Sequence, residues 1–208
     1  MAKRLAKPVL DPCPPGQIGG SYKPLTEAEL NSIYDTALML LENLGLGQVP
    51  SRLRADLSAI GARSNGAGRI LLPQPLVQEA IDQAAKTFVL HGRDEARSIE
   101  VGGNRVHFGT GGAAVQTLDL DSRRYRPSTL EDLHNFTRLQ DVLPNVSWYT
   151  RCCVATDVPD MFDLDVNTVY ALLRNTTKPT ATSFTLAGHV APIVQMLDIA
   201  AGGVGAFA

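Results

Sequence analysis

"NVSWYTRCCVA" (145–155), "DLDVNTVYALLRN" (163–175), "KPTATSFT" (178–185) and "GHVAPIVQMLDIAAGG" (188–203) follow one another closely along the chain. By hydrophobic period they read as strand, helix, strand and helix, which is the signature of parallel βαβ units. Just upstream, Ser128 and Glu131 have the spacing of a capping box. They predict a helix that carries Leu130, Leu133, Phe136 and Leu139 to about Val142.

Further toward the N-terminus the period shortens. From Thr87 to about Pro127 short alternating runs are separated by "HGRD", "GGN" and "DLDSRR", which is hairpin punctuation. Before this, "PLTEAELNSIYDTALMLLENLG" (24–45) predicts a helix capped by Thr26 with Glu29. Its stripe is Leu30, Ile33, Tyr34, Ala37, Leu38, Leu41 and Leu44, and Gly45 gives a left-handed exit. A shorter helix is expected from about Ser51 to Ile60, stopped by Gly61. "SNGAG" makes a turn, and Pro75 opens a third helix with Val77, Ala80, Ile81 and Ala84 inward.

The expected organisation is an arm without regular structure (1–24), a helical region (25–86), a β-hairpin section (87–127) and βα units (128–208). The fold class is therefore α/β. A complete (β/α)8 barrel takes about 250 residues, so the residues from 105 onward suffice for roughly three units, an incomplete barrel.

The chain has 208 residues, 44 % of them hydrophobic, with a formal charge of −2. That balance lacks the concentrated basic face nucleic acid requires. The first seven residues are basic but no apolar h-region follows, and no run reaches the roughly 18 apolar residues of a membrane helix. Cys13, Cys152 and Cys153 suit a reducing, cytoplasmic compartment, and none has zinc or redox spacing. Cys152 and Cys153 read as strand residues.

Nucleotide and metal chemistry find little support. "HFGTGGAAV" (107–115) has glycines as G-x-G-G, with no lysine and no following helix, unlike a dinucleotide or Walker loop. Its glycines instead allow another backbone or a ligand to come close at a strand end. "DLDSRR" and "DLDVN" open like calcium loops, but Arg124 and Thr168 stand where glycine belongs, and Leu130 and Arg174 where glutamate belongs. His91, His107, His134 and His189 have no ligand spacing, so no metal is expected.

"SWYTR" draws more interest. Trp148 and Tyr149 lie on an expected strand close to Arg151, and strand carboxyl ends face the site in parallel α/β folds. An aromatic face there would suit a quaternary ammonium. The alternative is plain packing, with one neighbour inside the sheet layer and the other under a helix.

"GGSYKPLTEAELNSIYDTALMLLENLG", "FVLHGRDEARSIEVGGNRVHFGTGGAAVQTLDLDSRRYRPSTLEDL" and "DVNTVYALLRNTTKPTATSF", taken together, resemble the trimethylamine methyltransferase family. The resemblance implies a TIM barrel behind an N-terminal helical region. It implies transfer of a methyl group from trimethylamine, or from a quaternary amine such as glycine betaine, to the Co(I) of a corrinoid protein. The corrinoid (cobalamin) would be carried by that partner and not bound directly by this chain. A homo-oligomer is expected of the full-length protein. The competing expectation is a non-catalytic, truncated barrel or scaffold that docks a corrinoid protein or a complementing chain.

Residue by residue, the site expectations come from strand ends and not from a family mechanism. Gly109, Thr110, Gly111 and Gly112 would form the mouth of the first strand, these small residues leaving space for substrate or the incoming corrinoid. Trp148, Tyr149 and Phe184 would cage the amine, with Thr110, Arg151 and Ser183 as polar positioners. Arg151 suits a substrate carboxylate, which a guanidinium grips in bidentate fashion.

Overall fold

A computed structural model describes residues 14–207. The expectations for residues 1–13, Cys13 among them, lie outside the described residues. Two compact units divide the rest, residues 20–86 and, apart from it, residues 14–19 with 87–207. Within the expected arm, β1 (Gln17–Ile18) is a short strand.

The 20–86 unit opens with α1 (Glu27–Asn43). Thr26 Oγ1 accepts from the Glu29 amide, and the Glu29 carboxylate accepts from the Thr26 amide at 2.8 Å. The helix leaves through Gly45, at φ +63°, where a Cβ would lie 2.1 Å from the Ile70 carbonyl oxygen. α2 (Ser51–Ala59) follows, then a hairpin of β2 (Arg63–Ser64) and β3 (Ile70–Leu71) around "SNGAG", then α3 (Gln74–Gln83). The α1 stripe is less buried than its periodicity predicts. Only Leu38 is buried and Leu41 half-buried, while Leu30, Ile33, Tyr34, Ala37 and Leu44 are exposed. On α3, Val77 is half-buried, but Ala80, Ile81 and Ala84 are exposed. The physical reason is size, since a ten-residue helix and a hairpin of two-residue strands offer too little surface to cover the stripe of a 17-residue helix.

The larger unit begins with hairpins. β4 (Thr87–Leu90) pairs antiparallel with β5 (Ile99–Gly102), and β6 (Arg105–Val106) pairs with β1. β7 (Gln116–Leu118) and β8 (Tyr125–Pro127) form a third antiparallel pair. Three helices and two short strands then alternate: α4 (Leu130–Val142), β9 (Tyr149–Thr150), α5 (Met161–Asn175), β10 (Thr180–Ala181) and α6 (Val190–Ala201).

The capping box of α4 differs from the sequence reading by one residue. Thr129 is the cap and Asp132 its partner, not Ser128 and Glu131. Ser128 is fully buried, and its hydroxyl lies 2.6 Å from the Val154 carbonyl oxygen and 3.2 Å from that of Ala114. A side chain needed between two strand ends cannot also cap a helix.

β9 and β10 are parallel, pairing Tyr149 with Thr180 and Thr150 with Ala181. Residues 109–114 run parallel on the other side of β9, bridging Gly109 to Trp148 and Ala114 to Cys153. Each parallel neighbour is thus reached through a helix, as the geometry of parallel pairing demands. Leu133, Cys153 and Ala171 form the core between strands and helices, with Leu130, Phe136 and Cys152 packed against it. Fully buried Leu133 and Ile193 each contribute about 2 kcal/mol by leaving water. Among the described residues, no helix is long and apolar enough to cross a membrane.

Candidate functional site

Parallel strands share one carboxyl end, and here it is marked by Ala114, Val154 and the residues after Ala181. Ser128 holds that end together: besides its hydroxyl contacts, its amide donates to Val115 O at 3.1 Å, and its carbonyl accepts from the Thr156 amide and hydroxyl. Lower down, the seam is completed by a side chain. Thr110 Oγ1 donates to the Thr150 carbonyl at 2.9 Å and accepts from the Thr150 amide at 3.0 Å.

The residues expected to form one site separate into four places. Trp148 lies at the start of its strand, level with Gly109, and its indole covers that glycine. A Cβ on Gly109 would sit 2.1 Å from Trp148 Cε2. Gly111 faces open space, and a Cβ on Gly112 would meet the Arg151 carbonyl oxygen at an ordinary 3.4 Å. Gly109 is therefore required by an indole, while Gly111 leaves open space beside Thr110.

Tyr149 is fully buried and hydrogen-bonds Cys152 Sγ at 3.1 Å. Burial foremost, and then the bond to Cys152, raise its phenol above the usual range. It is a core residue with no face for an amine, so packing and not a cage describes it. Phe184 lines a cleft of about 880 Å³ with His91, Arg93, Leu172, Thr180 and Leu197, beside β10. Trp148, Tyr149 and Phe184 are thus not gathered into a single cage.

Arg151 and Ser183 are brought together. Nη2 of Arg151 donates to Ser183 Oγ at 3.4 Å, near the carboxyl ends of β9 and β10. The long bond leaves the guanidinium capacity for a further anion.

Two features had no local signal in the sequence. Cys152 borders a cleft of about 650 Å³ with Thr110, Gly111, Gln116 and Phe136. Donation from the Cys153 thiol and from the Tyr149 hydroxyl outweighs burial and brings the Cys152 thiol down to about 7. Cys153, buried and beside it, is pushed up.

The second is a pairing between α5 and the loop after β10. His189 Nδ1 lies 2.7 Å from Asp165 Oδ2, and the Thr185 amide and hydroxyl each donate to the same oxygen at 2.8 Å. Burial pushes the Asp165 carboxyl up, but the bonds from His189 and Thr185 prevail and hold it below the ordinary value. "DLDVN" therefore supplies a carboxylate for a histidine 24 residues away. Only the fold reveals that partner.

The sequence profile of the trimethylamine methyltransferase (MTTB) family matches residues 6–207, nearly the whole chain. The chain belongs to the trimethylamine methyltransferase family. It is 28 % identical over 179 residues to trimethylamine methyltransferase MttB of Desulfitobacterium hafniense (strain DSM 10664 / DCB-2), covering 86 % of this chain and 36 % of that protein. It is 28 % identical over 131 residues to glycine betaine methyltransferase of Desulfitobacterium hafniense (strain Y51), covering 63 % and 27 %. Trimethylamine methyltransferase MttB1 of Methanosarcina mazei is 25 % identical over 157 residues, covering 74 % and 32 %. The chain thus spans about a third of the length of these family members.

Proposed function

We propose that this chain forms the amine-binding side of a methyltransferase that moves a methyl group from a tertiary or quaternary amine to the Co(I) of a corrinoid held by a separate protein. The family supports the reaction class, and both a trimethylamine and a glycine betaine enzyme stand among the relatives. The parallel βα layer is read as the opening units of a (β/α)8 barrel. The cobalt supplies the nucleophile when the partner is docked, and this chain's residues bind and orient the amine.

The observation that carries the reading is Arg151 beside Ser183 at the strand ends. Displacement at a methyl carbon demands that the C–N bond be held in line with the acceptor and that water be kept away. A guanidinium fixed on a strand can anchor a substrate carboxylate and thereby aim the methylated nitrogen at the other end of the molecule. Ser183 Oγ stands beside Arg151 and offers a second polar contact.

Calorimetric titration of the protein with glycine betaine and with trimethylamine tests this. Arg151→Ala should weaken betaine binding by about tenfold or more, the worth of a charge-assisted hydrogen bond, and leave trimethylamine unaffected. Equal affinity for betaine in the variant refutes the carboxylate role. Binding of neither amine refutes the reading as a whole.

A further inference from the structure

Asp165 and His189 belong to the segments that follow β9 and β10, as Arg151 and Ser183 do. α5 begins after the carboxyl end of β9, and the loop that ends at His189 leaves the carboxyl end of β10. The Asp165 side chain is fully buried and that of His189 is 12 % exposed. One carboxylate oxygen, Oδ2, takes the Thr185 amide, the Thr185 hydroxyl and the histidine ring. The other, Oδ1, is buried without a partner among the described residues.

An ionised carboxylate can only accept, so the proton of a neutral His189 ring stands on Nδ1. Phe162 meets the ring edge-to-face at a centroid distance of 5.3 Å and fixes its plane. Among the described residues Nε2 has no hydrogen-bond partner, and it is not a fully buried atom. In the neutral ring Nε2 is thus left as an acceptor of fixed position. The Asp165 carboxylate ties the loop through the Thr185 amide and hydroxyl, and the same oxygen also holds the His189 ring in a single tautomer.

We propose that His189 Nε2 accepts the N–H of a protonated tertiary amine, so that this chain distinguishes tertiary from quaternary ammonium substrates, with Asp165 as the positioning residue. The inference rests on the amine-binding reading above. An alkylammonium holds its proton to about pH 10, as lysine does, so a tertiary amine presents one N–H at neutral pH. A quaternary ammonium presents a methyl group in its place, which Nε2 cannot bond. The interaction is a hydrogen bond, and no proton transfer is required.

Four ligands that differ only in these groups separate the possibilities: trimethylamine (N–H, no carboxylate), tetramethylammonium (neither), N,N-dimethylglycine (both) and glycine betaine (carboxylate only). The protein should bind each N–H ligand about tenfold more tightly than its fully methylated counterpart, the worth of one charge-assisted hydrogen bond. His189→Ala should bring that ratio to one and leave the carboxylate preference intact, while Arg151→Ala should do the reverse. A ratio near one in the wild type, or a ratio unchanged in His189→Ala, overturns the proposal and leaves the amine-binding reading standing. No binding of any of the four overturns both.

Nitrogen NMR of the His189 ring tests the same point without a substitution. Nδ1 should carry the proton, and Nε2 should shift on adding trimethylamine hydrochloride and stay still with tetramethylammonium chloride. A ring protonated on Nε2 overturns the proposal.

Discussion

Asp132 ties β8 to the start of α4, and its loss has a calculable, pH-dependent cost. Arg126 grips it with two hydrogen bonds, Nη1 to Oδ2 at 2.6 Å and Nη2 to Oδ1 at 2.8 Å, while the Thr129 amide and hydroxyl also donate to Oδ2. Asp132 is 7 % exposed. The Arg126 hydrogen bonds chiefly, with burial opposing, bring its carboxyl down to about 2. A carboxyl whose folded pKa lies below its unfolded one stabilises fully above about pH 4, and the contribution fades as the pH falls toward 2. The drop from 3.8 corresponds to about 2 kcal/mol. Because the Arg126 side chain is 40 % exposed, solvent screening brings the expected contribution to roughly 1–2 kcal/mol. Asp132→Asn keeps the shape and removes the charge. Urea unfolding of both proteins at intervals from pH 3 to pH 7 should show that gap at neutral pH, shrinking by about half at pH 3. A gap that stays constant with pH, or none at pH 7, refutes the reasoning.

Two further outcomes follow from single contacts. Gly109→Ala places a Cβ 2.1 Å from the indole of the only tryptophan, so it should lower stability by about 1–3 kcal/mol and shift the Trp148 fluorescence. Gly111→Ala, with nothing within 4 Å of the new atom, is the control; equal melting temperatures for the two would refute the packing account. Iodoacetamide labelling of Cys152, followed by peptide mass, should be half-maximal near pH 7, and Tyr149→Phe should move the midpoint upward by removing a donor to the thiolate. Labelling of Cys152 with the profile of an ordinary thiol counts against the Cys153 and Tyr149 contacts together, and a midpoint unmoved in Tyr149→Phe counts against the Tyr149 contact.

The elements were legible where the signal was local. Thr26 with Glu29 and the glycine after Leu44 gave the bounds of α1, and the change of period marked the alternation of β9, α5, β10 and α6. What failed depended on long-range demand. Ser128 with Glu131 fitted the start of α4 by spacing, but the carbonyls of Ala114 and Val154 claim the Ser128 hydroxyl, and the cap falls to Thr129 with Asp132. Alternation said that one of Trp148 and Tyr149 turns inward. Register against Gly109 and Thr180 was needed to show that Trp148 stands at the strand's start and Tyr149 in the core. The Asp165–His189 pairing has no sequence signature, because 24 residues and a whole strand separate its partners.

The hydrogen bond from the Ser128 amide to the Val115 carbonyl also bears on how this protein can change. It joins the residue before β7 to the residue after β8, so the chain leaves the parallel layer and returns to it at one spot. Everything between is a closed detour. Lengthening such a detour costs only a logarithm of its size in loop entropy, about 0.6 kcal/mol per doubling. The tip from Leu120 to Arg124, away from Arg126 and its hold on Asp132, is therefore where foreign sequence can enter with least disturbance to the layer behind it. A recognition loop of new shape could be evolved or grafted there, level with the strand ends, without redesigning a single core residue.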